Sequence, residues 1–187
     1  MASGATLSPM RPSLALPTLL CLLAASCNPP EGERRPLVAY HLGPSPAPKR
    51  VEGEEVFFDG NWVKDGPVTF YDKAGNVTHR GDYALGLESG QWTEMGADGI
   101  TGTGSYREGE RHGRWEYRYA SDQVQSEGSY DMGRRTGLWT TYYSDGSKES
   151  EKPYVGGQLE GTVKVYDPLG NLEPMASGTF RKGERIK

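Results

Sequence analysis

A frame of glycines and aromatics recurs five times between Gly60 and Gly170, and its opening half returns at Gly178 to Gly183. The fullest copy, Gly128 to Gly146, reads G-x-Y-x-x-G-x-x-x-G-x-W-x-x-Y-x-x-x-G, with Tyr130, Gly133, Gly137, Trp139 and Tyr142 inside it. Gly81, Tyr83, Gly86, Gly90, Trp92 and Gly99 repeat the frame, and so do Gly104, Tyr106, Gly109, Gly113 and Trp115. A later copy keeps Tyr154, Gly157, Gly161, Tyr166 and Gly170 but has Lys152 for the opening glycine and Val163 for the tryptophan. The first copy is three residues short between Trp62 and Gly66. Trp92, Trp115 and Trp139 stand 23 and 24 residues apart, so the chain is a modular array whose units bury their faces mainly against neighbours.

Each unit holds two short runs rich in Tyr, Trp, Val and Thr, divided by a polar, Gly-bounded segment. That is a β-hairpin pattern. Gly every few residues costs roughly 1 kcal/mol against Ala in a helix, so no helical window survives. Asp72 to Gly75 and Asp167 to Gly170 read as type I turns closed by a left-handed Gly, and Asp65-Gly66 and Asp145-Gly146 as tight hairpin signals. The predicted fold class is all-β: an elongated, single-layer antiparallel meander of about eleven strands from Gly60 onward, roughly 50 Å long.

Period-two alternation sets out the faces. Val68 with Phe70, Trp92, Trp115 with Tyr117 and Tyr119, Trp139 with Tyr143, and Val163 with Val165 fall on one side. Tyr71, Met95, Tyr142 and Tyr166 fall on the other, with Arg118 in the third copy. No helix exists to cover the aromatic ladder of Trp92, Trp115, Tyr117, Trp139 and Tyr143. It is therefore either the core of a one-layer sheet, with rings stacked over glycines, or an exposed platform. The core reading is the one preferred here.

The unit resembles the MORN (membrane occupation and recognition nexus) repeat in its bacterial variant, built around G-x-W-x-x-Y-x-x-x-G. It is similar to the bacterial MORN-repeat family labelled the antitoxin component of toxin–antitoxin systems. The resemblance covers residues 60 to 187 and implies a non-catalytic, antitoxin-like module that binds a protein partner. Met95 and Arg118 at the second aromatic position, Asp122 at the closing glycine, Lys152, Val68 and Val163 depart from the pattern.

At the other end, Arg11 precedes an apolar run from Leu14 to Ala25 that suits a signal-peptide core and is too short to span a membrane. It ends Leu23-Ala24-Ala25-Ser26-Cys27, which resembles a bacterial lipobox and marks Cys27 as a lipidation site. Asn28 after it points to the outer membrane. The organisation expected is a signal peptide over 1 to 26, a lipid-anchored Pro-rich linker over 27 to 50 and a repeat domain over 51 to 187. Six prolines between residues 28 and 50 predict an extended tether of up to roughly 70 Å, and Val51 to Phe58 could add an edge strand. Of the two cysteines, Cys21 lies in the segment to be removed, so no internal disulfide is expected in the processed chain.

Chemistry is sparse. His41, His79 and His112 are scattered, no metal-ligand or nucleophile–base spacing is found, and neither catalytic residue, metal nor cofactor is expected. With 21 basic and 25 acidic residues well mixed, the chain lacks the basic stripe that nucleic acid requires. Two classes remain. One is an envelope-anchored scaffold for a protein partner, met through loops carrying Glu110, Arg111, His112, Arg134 and Arg135. The alternative is a glycan- or cell-wall-binding lipoprotein that uses the aromatic face for sugar stacking.

Overall fold

A computed structural model describes residues 29–40, 42, 49–96 and 98–187. The expected signal peptide and Cys27 lie outside them. Among the described residues there is no helix. Fifteen strands run in chain order: β1 (Arg34–Tyr40), β2 (Lys49–Phe58), β3 (Asn61–Lys64), β4 (Gly66–Tyr71), β5 (Val77–Ala84), β6 (Leu87–Met95), β7 (Thr101–Arg107), β8 (Glu110–Arg118), β9 (Val124–Asp131), β10 (Arg134–Tyr142), β11 (Lys148–Val155), β12 (Gln158–Leu159), β13 (Gly161–Val165), β14 (Gly178–Arg181) and β15 (Glu184–Arg185). Each pairs antiparallel with its neighbour in one open meander without crossovers. The predicted all-β, one-layer repeat fold is the fold observed.

Strands β3 and β4 are two halves of one bent strand, both pairing with β2, and β12 and β13 both pair with β11. This corrects one expectation: Asp65-Gly66 is not a hairpin turn. Gly66 takes the mid-strand place that Gly90, Gly113, Gly137 and Gly161 hold in later units, all with positive φ. Around Gly137 the β9–β10 register slips between Thr136 and Thr140, the mark of a glycine bulge that bends the strand.

The true hairpin turns are shorter and lie beside these bends. In Met132-Gly133 both residues have positive φ, 43° and 77°, as a two-residue type I′ turn demands. The turns stack on the adjoining units. Gly86, Gly109, Gly133 and Gly157 donate N–H bonds of 2.7–3.0 Å to the carbonyls of Lys64, Glu88, Arg111 and Arg135. At the opposite edge the turns are four-residue loops, as read from Asp72 and Asp167, whose carboxylates accept the backbone N–H groups of Asn76 and Asn171.

The sheet also begins earlier than expected. Arg34–Tyr40, inside the span expected to be tether, pairs over its whole length with β2, from Arg34↔Val56 to Tyr40↔Lys49. Pro36 is tolerated because β1 is an edge strand. Val51 to Phe58 is consequently interior, held between β1 and the β3–β4 strand.

The core is the aromatic face. Trp92, Trp115 and Trp139 are 5%, 0% and 2% exposed, joined by Val51, Val68, Tyr83 and Tyr130. Each indole lies flat on a glycine of the preceding strand: a Cβ at Gly81, Gly104 or Gly128 would stand 2.3 Å from the ring above it. The indole N–H groups of Trp115 and Trp139 donate to the carbonyls of Ser105 and Ser129 at 3.0 Å. Tyr83, Trp92, Tyr106, Trp115, Tyr130 and Trp139 then run across the strands as edge-to-face neighbours with centroids 5.0–6.2 Å apart. Such pairs add roughly 0.5–1.5 kcal/mol beyond area burial, which is how one layer holds without a second.

Candidate functional site

The register decides which side chains stand above the indoles. Four residues before Val68, Trp92, Trp115 and Trp139 the chain carries Lys64, Glu88, Arg111 and Arg135, whose carbonyls receive the turn N–H groups, as does that of Leu159 before Val163. With the backbone fixed there, three of the four side chains lie over aromatic rings. Lys64 Nζ is 4.9 Å from the Tyr83 ring centre, Arg111 is 4.8 Å from Trp115 and 5.9 Å from Tyr130, and Arg135 is 4.4 Å from Trp139 and 5.6 Å from Tyr154. A cation over an aromatic face is favourable by about 0.5–2 kcal/mol. The buried rings are thus closed off by the methylene stems and charged heads of their own repeats.

The β6 unit breaks this order twice. It carries Glu88 where its neighbours carry a cation, and Glu94 where β4 and β8 carry the rings of Phe70 and Tyr117. A groove of about 460 Å³ opens there, walled by Phe70, Tyr83, Trp92 and Tyr106, with His79, Glu88, Glu94 and Arg111 along its sides. Glu94 is engaged: it accepts Tyr106 Oη at 2.5 Å and Arg111 Nη2 at 2.6 Å. Glu88 accepts Tyr83 Oη at 3.0 Å and forms no ion pair among the described residues. Burial first, and then the carboxylate each one faces, hold the Tyr83 and Tyr106 phenols above the ordinary tyrosine range.

The opposite face is polar. Tyr71 donates to Glu52, Tyr142 Oη to Glu127 at 2.9 Å, and Arg118 Nε to Glu116 at 2.7 Å, while Arg114 pairs with Glu127. The second aromatic of the frame therefore anchors a phenol to a carboxylate on the preceding strand, as the predicted far-face position of Tyr71 and Tyr142 implies.

The five residues expected in binding loops are not in loops. Glu110, Arg111 and His112 open β8, and Arg134 and Arg135 open β10, because the turns are only two residues long. Arg111 and Arg135 lie over the tryptophans, Arg135 with its outer surface exposed, and Glu110 and Arg134 are exposed at the hairpin edge beside Gly133 and Gly157 of the next turns. His112 Nε2 meets Arg107 Nη2 at 2.7 Å, and its Nδ1 faces Asp131 at 3.5 Å. Tyr143 also departs from its expected place in the ladder. It lies just past the end of β10, and its hydroxyl donates to the Tyr166 carbonyl at 2.8 Å, as Tyr119 does to Tyr142. These inter-unit bridges were hidden because the aromatics follow the strand's last residue, where alternation no longer assigns a face. Among the described residues, no cluster of three or more His, Cys, Asp or Glu could hold a metal.

Comparison with curated proteins finds no match. Comparison with protein families finds one at the best-formed units, and repeats of this type generally serve as protein- or membrane-binding modules and are typically non-catalytic. Residues 111–132 and 135–155, which span β8 to β11, match the MORN repeat variant.

Proposed function

We propose that this chain is a non-catalytic scaffold, anchored in the cell envelope, that presents its repeat sheet to a protein partner. The burial of Trp92, Trp115 and Trp139 carries the reading. Tryptophans that are 0–5% exposed form the core and offer no flat indole platform for sugar stacking, which speaks against the glycan-binding alternative. What remains for contact is a regular hairpin edge, studded by Glu110 and Arg134, and the groove on the aromatic face. Anchoring follows from the signal sequence and Cys27, whose acylation would hold the protein at the outer membrane. An antitoxin-like role then takes an exported effector as the partner, because the anchor keeps the sheet out of the cytoplasm.

Two measurements test this. Mass spectrometry of the purified chain should find Cys27 as an acylated N-terminus, and Cys27→Ala should abolish recovery with membranes; an unmodified Cys27 thiol would overturn the anchoring. Combined Glu110→Lys and Arg134→Glu should abolish cross-linking to the envelope partner while far-UV spectrum and melting point stay unchanged. Unaltered cross-linking would remove the hairpin edge from the reading, and retention of the parent chain on peptidoglycan without any protein cross-link would favour the glycan binder.

A further inference from the structure

We propose that the groove at β6 is a receptor for a basic side chain, arginine above all, of an extended partner segment; this deepens the protein-binding reading and rests on it. At Lys64, Arg111 and Arg135 the chain places its own cation over the tyrosine of the following strand, 4.9–5.9 Å from the ring centre. At Glu88 that cation is missing. The corresponding tyrosine, Tyr106, lies open to the groove with Trp92 beside it at a centroid distance of 5.6 Å.

The side chains supplied in place of the cation complement one. Glu94 is neutralised by Arg111, but Glu88 has only the neutral Tyr83 hydroxyl as a partner. A partially enclosed carboxylate beside aromatic faces is the environment in which a guanidinium gains both a charge-assisted hydrogen bond and stacking. The neighbouring units display the geometry of the filled site, because Arg111 and Arg135 lie over Trp115 and Trp139 in it. An incoming arginine would complete the row with a residue from outside the chain.

The test uses the full chain and a blocked Gly-Arg-Gly peptide, with Gly-Glu-Gly as control, and follows the indole N–H resonances of the four tryptophans. The arginine peptide should shift Trp92 saturably and leave Trp139 in place, and the glutamate peptide should shift neither. Glu88→Arg, which restores the cation of the other repeats, should weaken the response at least tenfold. Glu88→Gln keeps an acceptor for Tyr83 and should weaken it several-fold in an intact fold. An unmoved Trp92, equal shifts with both peptides, or full binding by both variants would overturn the proposal. The readout needs no native partner, so the two readings fail separately: partner capture that survives a silent Trp92 sinks the groove alone, while a responsive Trp92 without any protein partner sinks the scaffold and leaves the groove.

Discussion

Replacing Gly128 by alanine tests the packing that holds this one-layer sheet together. The new Cβ would stand 2.3 Å from Cδ2 and Cε2 of Trp139 and 2.6 Å from Cγ, with the ring face directly above. The indole must lift by about 1 Å or more to reach ordinary contact, weakening its bond to Ser129 and its 5.0 Å contact with Tyr130. Overpacking at about 1–3 kcal/mol and a disturbed hydrogen bond at about 0.5–1.5 kcal/mol give an expected loss of about 2–4 kcal/mol. Gly137→Ala supplies the contrast. Its backbone is left-handed, φ 67°, with nothing within 4 Å of a new Cβ, so only strain of about 1–2 kcal/mol is expected. The two mechanisms separate in the Trp139→Val background, where the cost of Gly128→Ala should fall by at least about 1 kcal/mol while that of Gly137→Ala should hold within about 0.5 kcal/mol. Urea unfolding of the three single and two double variants, followed by far-UV dichroism, measures both. Equal losses at Gly128 and Gly137, or strict additivity of Gly128→Ala with Trp139→Val, would refute indole-on-glycine packing.

Two pH dependences follow from the same structure. Burial holds the Tyr83, Tyr106 and Tyr117 phenols protonated in the folded chain at pH values where the unfolded chain ionises; stability is therefore complete below the ordinary phenol value of about 10 and lost as pH rises above it. A urea midpoint that stays flat through pH 11 would contradict this, and Tyr83→Phe should soften the decline. At the acid end, hydrogen bonds from Asn76 and Asn171, joined by backbone N–H groups of the same turns, hold Asp72 and Asp167 below the usual carboxylate range. Their contribution is present above pH of about 4 and lost as pH falls through the lower folded values, so Asp167→Ala should flatten the acid limb of the midpoint-against-pH curve; an unchanged acid limb would assign it to other carboxylates.

Much of the fold was legible because glycine and tryptophan positions are coupled through space. Gly104 precedes Trp115 and Gly128 precedes Trp139 at fixed offsets, and each pair is one stacking contact. The departures in the fourth full unit obey the same rule: Lys152 can carry a side chain on β11 where the buried residue of the next strand is the smaller Val163. Strand β1 was harder to see, since four prolines and two glycines in residues 29 to 44 mask a pairing that tertiary context, not local propensity, creates. The two-residue turns are hard to read from sequence because Leu85, Glu108 and Met132 adopt positive φ without being Gly, Asn or Asp, the residues that announce such turns. The groove has a faint trace in the sequence. Glu88 interrupts a series of cations at a constant offset from the core residues, a signal that becomes meaningful only when the register shows those cations lying over rings.

Whether the tryptophans are core or contact surface is decided most directly by Trp115→Ala. Trp115 is fully buried, over Gly104 and beneath Arg111. Urea unfolding of the full chain should show a loss of about 3–5 kcal/mol, irrespective of any ligand present. Stability within about 0.5 kcal/mol of the parent, with retention on peptidoglycan falling instead, would contradict the account and make the aromatic face a binding platform.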